Sequence, residues 1–136
     1  MVSVQLVNNM DTHLVIIKGD WNDADYAHNI IKCTKEEAES IVTSYELVKE
    51  FMYWIHQSEQ ISNYYDLADA YELLERYDDY EELREDCPWI FEKFNEADLL
   101  SIWYFLEECL PWGYENKCYT VESIEIFEIN SYNKVK

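Results

Sequence analysis

The first quarter of the chain alternates between hydrophobic and polar positions in a way that predicts three β-strands. Residues 2–7 alternate, residues 12–18 are rich in β-branched side chains, and residues 26–33 place Ile31 and Cys33 on one face with Tyr26 and Ile30 on the other; these patterns are typical of strands. Asparagine and aspartate at positions 8–11 are favoured in turns. We therefore predict a hairpin between 2–7 and 12–18, and a third strand at 26–33 after a loop at 19–24.

A different repeat, with apolar side chains every three or four residues, predicts helices in the middle of the chain. Thr34 and Glu37 match a capping box, in which each side chain accepts a hydrogen bond from the other residue's backbone N–H. The helix that begins there is predicted to run to about His56. Its apolar positions are Ala38, Ile41, Tyr45, Val48, Met52 and Ile55.

The second predicted helix runs from about Tyr65 to Glu85, with a candidate break at 77–79. The sequence Cys87-Pro88-Trp89 interrupts it, because proline has no N–H to donate within a helix. A short helical turn is predicted to follow, through Phe94.

A third helix is predicted to begin after Asn95, a favourable capping residue, and to end at Pro111. Beyond it, the β-branched segment Cys118–Ile129 predicts a last strand, and its alternation slips near Ser123, which indicates a β-bulge. The inner face of the third helix is predicted to consist of Leu99, Ile102, Trp103, Leu106 and Leu110.

The order of these elements, βββ–ααα–β, predicts an α+β fold. Grouped strands followed by grouped helices favour a mainly antiparallel sheet of about four strands, with the helices covering one face. We predict a single acidic domain over residues 1–130 and a loose C-terminal tail over residues 131–136.

The chain is strongly acidic, with 29 acidic and 10 basic residues and a formal net charge of -19. It contains two arginines and two glycines. A nucleic-acid groove needs clustered basic side chains, and a phosphate-cradling loop needs closely spaced glycines. An anionic membrane surface would repel such a protein. We therefore expect no direct binding to nucleic acid and no membrane association.

The expected location is cytoplasmic, and that of the host cell if the protein is phage-encoded. No apolar run reaches the roughly 18 residues that a membrane span needs, and the N-terminal residues lack the basic region of a signal peptide. Reduced thiols are the default in such a compartment. The four cysteines show no CxxC spacing, so neither a disulfide framework nor a zinc site is predicted.

Negative charge is concentrated in residues 66–98, which hold 13 acidic and 3 basic side chains. A continuous helix over 66–86 would be about 30 Å long, and acidic residues spaced by three or four positions would share one of its faces. Like charges at that spacing destabilise a helix by a few tenths of a kcal/mol per pair, so their presence favours a functional explanation. The predicted partner-binding residues are Asp66, Asp69, Glu72, Glu75, Asp78, Asp79, Glu82, Glu85 and Asp86, with Tyr80 and Trp89 as aromatic anchors.

The segment Asp20–Asp25, with His28 nearby, contains enough donor atoms to consider a metal site. A calcium EF-hand counted from Asp20 would need glycine at its sixth position and glutamate at its twelfth, where this sequence has Asp25 and Ile31. A turn stabilised by aspartate and asparagine side chains is therefore favoured. A metal-dependent enzyme that uses the Asp20–His28 loop is the alternative from another functional class. We predict no catalytic residue, no metal ligand and no cofactor.

Two short segments outside the acidic middle carry a resemblance to a known group. Gly19–Tyr26 (GDWNDADY) follows the predicted hairpin, and Leu110–Tyr114 (LPWGY) precedes the strand that contains residues 123–125. These segments resemble small acidic proteins of phages and low-GC bacteria. Because that group has no established activity, the resemblance transfers no functional residue; it implies a role in mobile elements or in overcoming host defence.

The acidic middle of the chain predicts a non-enzymatic inhibitor that imitates nucleic acid. DNA presents a regular row of negative charges, and the proteins that hold it use grooves lined with lysine and arginine. The expected partner is therefore a basic nucleic-acid-binding protein or nuclease complex, and the expected setting is phage anti-defence of the anti-CRISPR or anti-restriction type. An immunity protein against a toxin nuclease and an acidic assembly protein are the alternatives among binding proteins, and a homodimer is compatible with each.

Overall fold

A computed structural model describes residues 11–22, 25–58, 66–113 and 116–129. They form the predicted α+β fold, in which helices pack against a three-stranded antiparallel sheet and a separate two-stranded ribbon adjoins that sheet. In chain order the elements are β1 (His13–Asn22), β2 (Asp25–Cys33), α1 (Lys35–Gln57), α2 (Leu67–Glu75), α3 (Tyr80–Asp86), α4 (Pro88–Lys93), α5 (Glu96–Tyr104), a π-helical turn (Phe105–Cys109), β3 (Trp112–Gly113), β4 (Asn116–Lys117) and β5 (Thr120–Glu128).

β1 is the central strand of the sheet, whose order is β2–β1–β5. Val15 and Ile17 on β1 are fully buried, whereas Ile16, which points to the opposite face, is half-buried. Ile30 lies directly across from Ile16 on β2 and is 61% exposed. This contrast confirms that the helices cover one face of the sheet and leave the other open.

The hairpin predicted between residues 2–7 and 12–18 is wrong in its pairing. β1 pairs with β2 along one edge and with β5 along the other, so neither edge is left for another strand. Residues 2–7 themselves lie outside the described residues. The predicted loop at 19–24 is also corrected, because β1 continues to Asn22: hydrogen bonds to two neighbouring strands compensate for the poor strand preference of Gly19 and Asp20.

The predicted bulge in the last strand is confirmed. Lys18 on β1 is paired with Ser123, but the next residue, Gly19, is paired with Val121. Glu122 is therefore the extra residue on β5. The strand itself, predicted over 118–129, is somewhat shorter.

α1 begins at the predicted capping box. The Thr34 hydroxyl accepts a hydrogen bond from the backbone N–H of Glu37 at 3.1 Å, and the Glu37 carboxylate accepts one from the backbone N–H of Thr34 at 2.8 Å. The buried positions of α1 are Ala38, Ile41, Ser44, Val48, Phe51 and Ile55.

Within the described ranges, no helix combines the length and the apolar character that crossing a bilayer requires.

The long second helix predicted over 65–85 is interrupted, at the candidate break. α2 ends at Glu75 and α3 begins at Tyr80. Asp79 starts the new helix, because its carboxylate accepts a hydrogen bond from the backbone N–H of Glu82 at 3.0 Å. Pro88 begins α4 rather than merely ending a helix, since the first helical position needs no N–H donor.

α5 begins at a second capping box, formed by Asn95 and Asp98 with bonds of 2.8 and 3.1 Å. The inner face predicted for this helix is largely confirmed: Trp103 is half-buried, and the buried residues are Leu99, Ile102, Leu106 and Leu110. The helix continues directly into the π-helical turn, whose Phe105 packs against Tyr45 of α1 with ring centroids 5.3 Å apart.

Two side chains, one from β2 and one from β4, cap the carbonyl end of the π-helical turn. The Lys117 Nζ donates to the carbonyl oxygens of Glu107 at 2.6 Å and Leu110 at 3.1 Å. The Asn29 amide donates to the carbonyl oxygens of residues 108 and 109. These bonds satisfy the acceptors that every helix leaves unpaired at its C-terminal end, and the charge of Lys117 also suits the negative end of the helix dipole.

Lys117 is buried beneath two aromatic rings, with 1% of its surface exposed. Its Nζ lies 4.7 Å from the ring centroid of Trp112 and 5.2 Å from that of Tyr71. Burial lowers the pKa of Lys117, because a charged ammonium group loses its hydration there. This residue joins the ribbon, α2 and the π-helical turn into one packed unit.

Candidate partner-binding segment and groove

The predicted acidic residues lie on two short helices and on the linker between them, which we call the acidic segment (residues 66–86). The single 30 Å rod expected from the sequence is wrong, because the helical hydrogen bonding stops after Glu75 and starts again at Tyr80. At nine residues, α2 is about 14 Å long. The carboxylates therefore lie on two short helices and the linker between them instead of along one straight helix.

Most of the predicted carboxylates are exposed to solvent. Asp66 and Asp69, at the start of α2, are half-buried. The exposed members of the set are Glu72, Glu75, Asp78, Asp79, Glu82, Glu85 and Asp86.

Two aspartates of the acidic segment have a structural role as helix caps. The Asp66 carboxylate accepts from the backbone N–H of Asp69 at 3.0 Å, as that of Asp79 does from Glu82. Burial raises the pKa of Asp66, and its backbone bond to Asp69 opposes part of that rise. Asp66 is therefore better explained as a helix start than as a contact for a partner.

Two further carboxylates bind neutral tyrosine hydroxyls, so these contacts leave their negative charge in place. Tyr71 donates to Glu75 at 3.1 Å, and Tyr77 donates to Asp86 at 2.8 Å. Burial and then the bond to Asp86 raise the pKa of Tyr77 to about 12, so this hydroxyl remains a donor at neutral pH.

The clearest concave site in the acidic segment is a groove of about 470 Å³ between α2, α3 and α5. Its floor includes the buried Leu83 and Leu99, and Leu100 at its edge is 61% exposed. The exposed carboxylates of Glu75 and two linker aspartates stand among its lining residues. We call it the acidic groove, and its lining is Leu74, Glu75, Tyr77, Asp78, Asp79, Tyr80, Leu83, Leu99, Leu100 and Trp103.

The two predicted aromatic anchors are not brought together. Tyr80 is half-buried, lines the acidic groove and packs edge-on against Phe91 with centroids 6.0 Å apart. Trp89 stacks on Phe51 at 6.3 Å and lines a separate cleft that also contains Trp54. Its indole N–H is buried without a hydrogen-bond partner. Trp89 is therefore better suited to the core than to the acidic groove.

Sequence reasoning missed Leu100 and assigned Trp103 to the core. The signal for Leu100 was available: adjacent positions on a helix lie about 100° apart around its axis, so Leu100 falls at the edge of the face that Leu99 and Ile102 define. Trp103 is half-buried because one face of its ring stacks on Tyr71, with centroids 5.3 Å apart and planes 5° apart.

The alternative of a metal site in the Asp20–His28 loop has no support in the part of the chain that the structure describes. There, no group of three or more histidine, cysteine, aspartate or glutamate side chains is arranged to hold a metal ion. Asp20 is paired with Tyr26 and Lys18 with His28, so these residues lie on the two strands of the hairpin rather than in a loop. The side chains of residues 21–25 lie outside the described set.

The four cysteines are buried and unpaired, and each has a raised pKa. Burial is the main cause in every case, raising the pKa of Cys109 to about 11 and that of Cys118 to about 12. A nucleophilic cysteine needs the opposite environment, one that stabilises the thiolate. Buried, protonated thiols are typical of a structural core.

Comparison with known proteins identifies no relative. No protein-family model matches the sequence, no curated protein matches it, and no solved structure matches its fold. What the acidic segment can bind is therefore inferred from its own geometry and charge.

Proposed function

We propose that this protein is a non-enzymatic inhibitor whose acidic segment occupies a basic nucleic-acid-binding site in place of nucleic acid. The observation that supports this most is the exposure of seven of the nine predicted carboxylates, which lie on α2, the linker and α3. A groove that binds DNA or RNA is lined with lysine and arginine, and it attracts any surface with dense negative charge. We propose phage anti-defence, of the anti-CRISPR or anti-restriction type, as the setting.

Two features of the acidic segment favour a binding role over a merely solvated surface. First, two tyrosine hydroxyls and the helix cap at Asp79 hold three of its exposed carboxylates in place, those of Glu75, Asp79 and Asp86, which reduces the entropy lost on binding. Second, apolar and aromatic side chains lie among the charges in the acidic groove. Such residues supply most of the binding energy at protein interfaces, while charges mainly speed and orient the encounter.

The proposal is tested by capture from a lysate of the host cell followed by elution with duplex DNA. The test variant carries Glu72→Gln, Asp78→Asn, Glu82→Gln and Glu85→Gln, all at exposed positions without a cap or tyrosine bond described above. The matched control carries Glu39→Gln, Glu50→Gln, Glu122→Gln and Glu125→Gln, at exposed positions on α1 and β5. Both variants therefore have the same net charge.

We expect the natural protein and the matched control to capture nucleic-acid-binding proteins that duplex DNA then elutes. The test variant should capture them poorly, because it lacks the charges that meet the basic site. Capture should also weaken with salt, since exposed charge pairs are screened over roughly 8–10 Å. Equal capture by both variants, or captured proteins that duplex DNA does not elute, would contradict the proposal.

A further inference from the structure

We infer that the acidic groove receives an arginine side chain of the partner, with the aliphatic stem on the leucine floor and the guanidinium against the aromatic and acidic lining. This inference rests on the proposed function and names the group that its binding site recognises. The floor and the rim of the groove favour a basic side chain, and its aromatic wall favours arginine over lysine.

The floor of the groove favours a ligand with an apolar portion. Leu83 and Leu99 are buried beneath it, and Leu100 leaves 61% of its surface in water. Covering that surface with a hydrocarbon stem is favourable, because apolar area is removed from water. Arginine and lysine both carry such a stem and keep the charged end outside.

The rim of the groove excludes a purely apolar occupant. The carboxylates of Glu75, Asp78 and Asp79 are exposed among its lining residues. An apolar side chain seated there would remove water from these charges without pairing them, which is costly. Glu75 and Asp79 each accept one described hydrogen bond, and a carboxylate has about four acceptor sites, so acceptors remain for a cation.

The aromatic wall distinguishes arginine from lysine. Trp103 is fixed by its stack on Tyr71, and Tyr77 by its hydroxyl bond to Asp86. A planar guanidinium stacks on such rings and at the same time forms paired hydrogen bonds to carboxylates, whereas an ammonium group is a compact and strongly hydrated charge. Arginine is also common in the nucleic-acid-binding sites to which the proposed function points.

The test compares hexa-arginine with hexa-lysine, two peptides of equal charge, by NMR titration of the full-length isotope-labelled protein. Asp78→Asn removes a rim carboxylate, and Leu100→Ala reduces the exposed apolar surface at the edge of the groove. Glu122→Gln, an exposed acidic position on β5, is the matched control for loss of one charge. Because positions 78, 100 and 122 are exposed, these substitutions are not expected to unfold the protein.

We expect hexa-arginine to bind about three to five times more tightly than hexa-lysine, the range expected for an exposed cation–π contact. The largest shifts should include the Trp103 indole N–H and the Leu100 amide. Asp78→Asn and Leu100→Ala should each weaken hexa-arginine binding more than Glu122→Gln does.

Equal affinities for the two peptides, or shifts that leave Trp103 and Leu100 unchanged, would overturn the arginine assignment and leave the proposed function standing. Conversely, a clear arginine preference at the groove, combined with captured proteins that duplex DNA fails to elute, would contradict the proposed function and not the assignment of the groove. The two failures are therefore distinguishable.

Discussion

Gly19 on β1 lies against Cys118, so closely that no side chain fits at position 19. A Cβ built at Gly19 would overlap the sulfur of Cys118, come within 2.8 Å of the Cys118 Cβ and lie 3.2 Å from the Pro111 Cγ. Cys118 is fully buried and follows the capping residue Lys117. The contact therefore packs the sheet directly against the segment whose Lys117 caps the π-helical turn.

Replacing Gly19 is expected to destabilise the protein, because the added methyl group must displace packed atoms. For Gly19→Ala we expect a loss of about 1–3 kcal/mol in the free energy of unfolding, measured by urea denaturation. Combining it with Cys118→Gly should recover part of that loss, since the two side chains compete for one space. Strictly additive effects of the two substitutions would contradict this explanation.

Lys117 is expected to stabilise the fold through its two carbonyl bonds. Lys117→Met keeps the stem but leaves the carbonyl oxygens of Glu107 and Leu110 without their donor, so we expect a loss of about 2–3 kcal/mol. Lys49→Met is the control, because Lys49 is exposed and pairs with Glu46 on the same helix at 3.1 Å. That change should cost less than about 0.5 kcal/mol. Similar losses for both variants, seen in their thermal midpoints, would refute the capping role.

Stability is expected to fall as the pH rises through the alkaline range. Cys118 and Cys109 have pKa values of about 12 and about 11 in the folded protein, against an ordinary value of 9.0. A raised folded pKa gives stability that is fully present below pH 9.0 and is lost as the pH approaches the folded value. Burial lowers the pKa of Lys117, which has the opposite sign and offsets part of this loss.

The alkaline prediction is checked by urea denaturation at about pH 8 and about pH 11, with a reducing agent present. Cys118→Ala should be less stable at the lower pH and should show a smaller decrease between the two values. A decrease as steep as that of the natural protein would show that this thiol does not cause it.

Added salt is expected to stabilise the folded protein. With a net charge of -19 the carboxylates repel each other, and their repulsion is screened as ionic strength rises. Between about 0.05 and about 0.5 M NaCl, the thermal midpoint should increase by a few degrees, which corresponds to about 1 kcal/mol for a domain of this size. The variant that neutralises Glu72, Asp78, Glu82 and Glu85 should respond less. An unchanged or lower midpoint would contradict strong repulsion.

The features that local chemistry determines could be predicted from the sequence. The capping box at Thr34 and the cap at Asn95 depend on residues three positions away, and both are present. The bulge near Ser123 appears as a slip in a short alternating pattern. The α+β class follows from the order of the elements. Strands and helices that are grouped along the chain bury their apolar faces when the helices pack on one face of an antiparallel sheet.

The features that depend on distant contacts could not be predicted. Whether β1 pairs with residues 2–7 or with β2 and β5 is decided by the whole sheet, and the local alternation fits either arrangement. The burial of Lys117 has no signature in the residues beside it, because the carbonyl oxygens that it binds lie seven and ten residues earlier in the chain and are brought to it by the π-helical turn. The acidic groove likewise combines α2 and α3 with α5, so it has no signature in any one segment.

The most direct test of the central claim is a displacement titration on a captured nucleic-acid-binding protein, using fluorescence anisotropy of its labelled duplex DNA. The natural protein should release the DNA as it occupies the same site. The variant neutralised at positions 72, 78, 82 and 85 should be at least about tenfold weaker, because it loses four exposed interfacial charges. The control neutralised at 39, 50, 122 and 125 should remain within about twofold. If the natural protein does not release the DNA, or if the two variants release it equally well, the claim that the acidic segment takes the place of nucleic acid is contradicted.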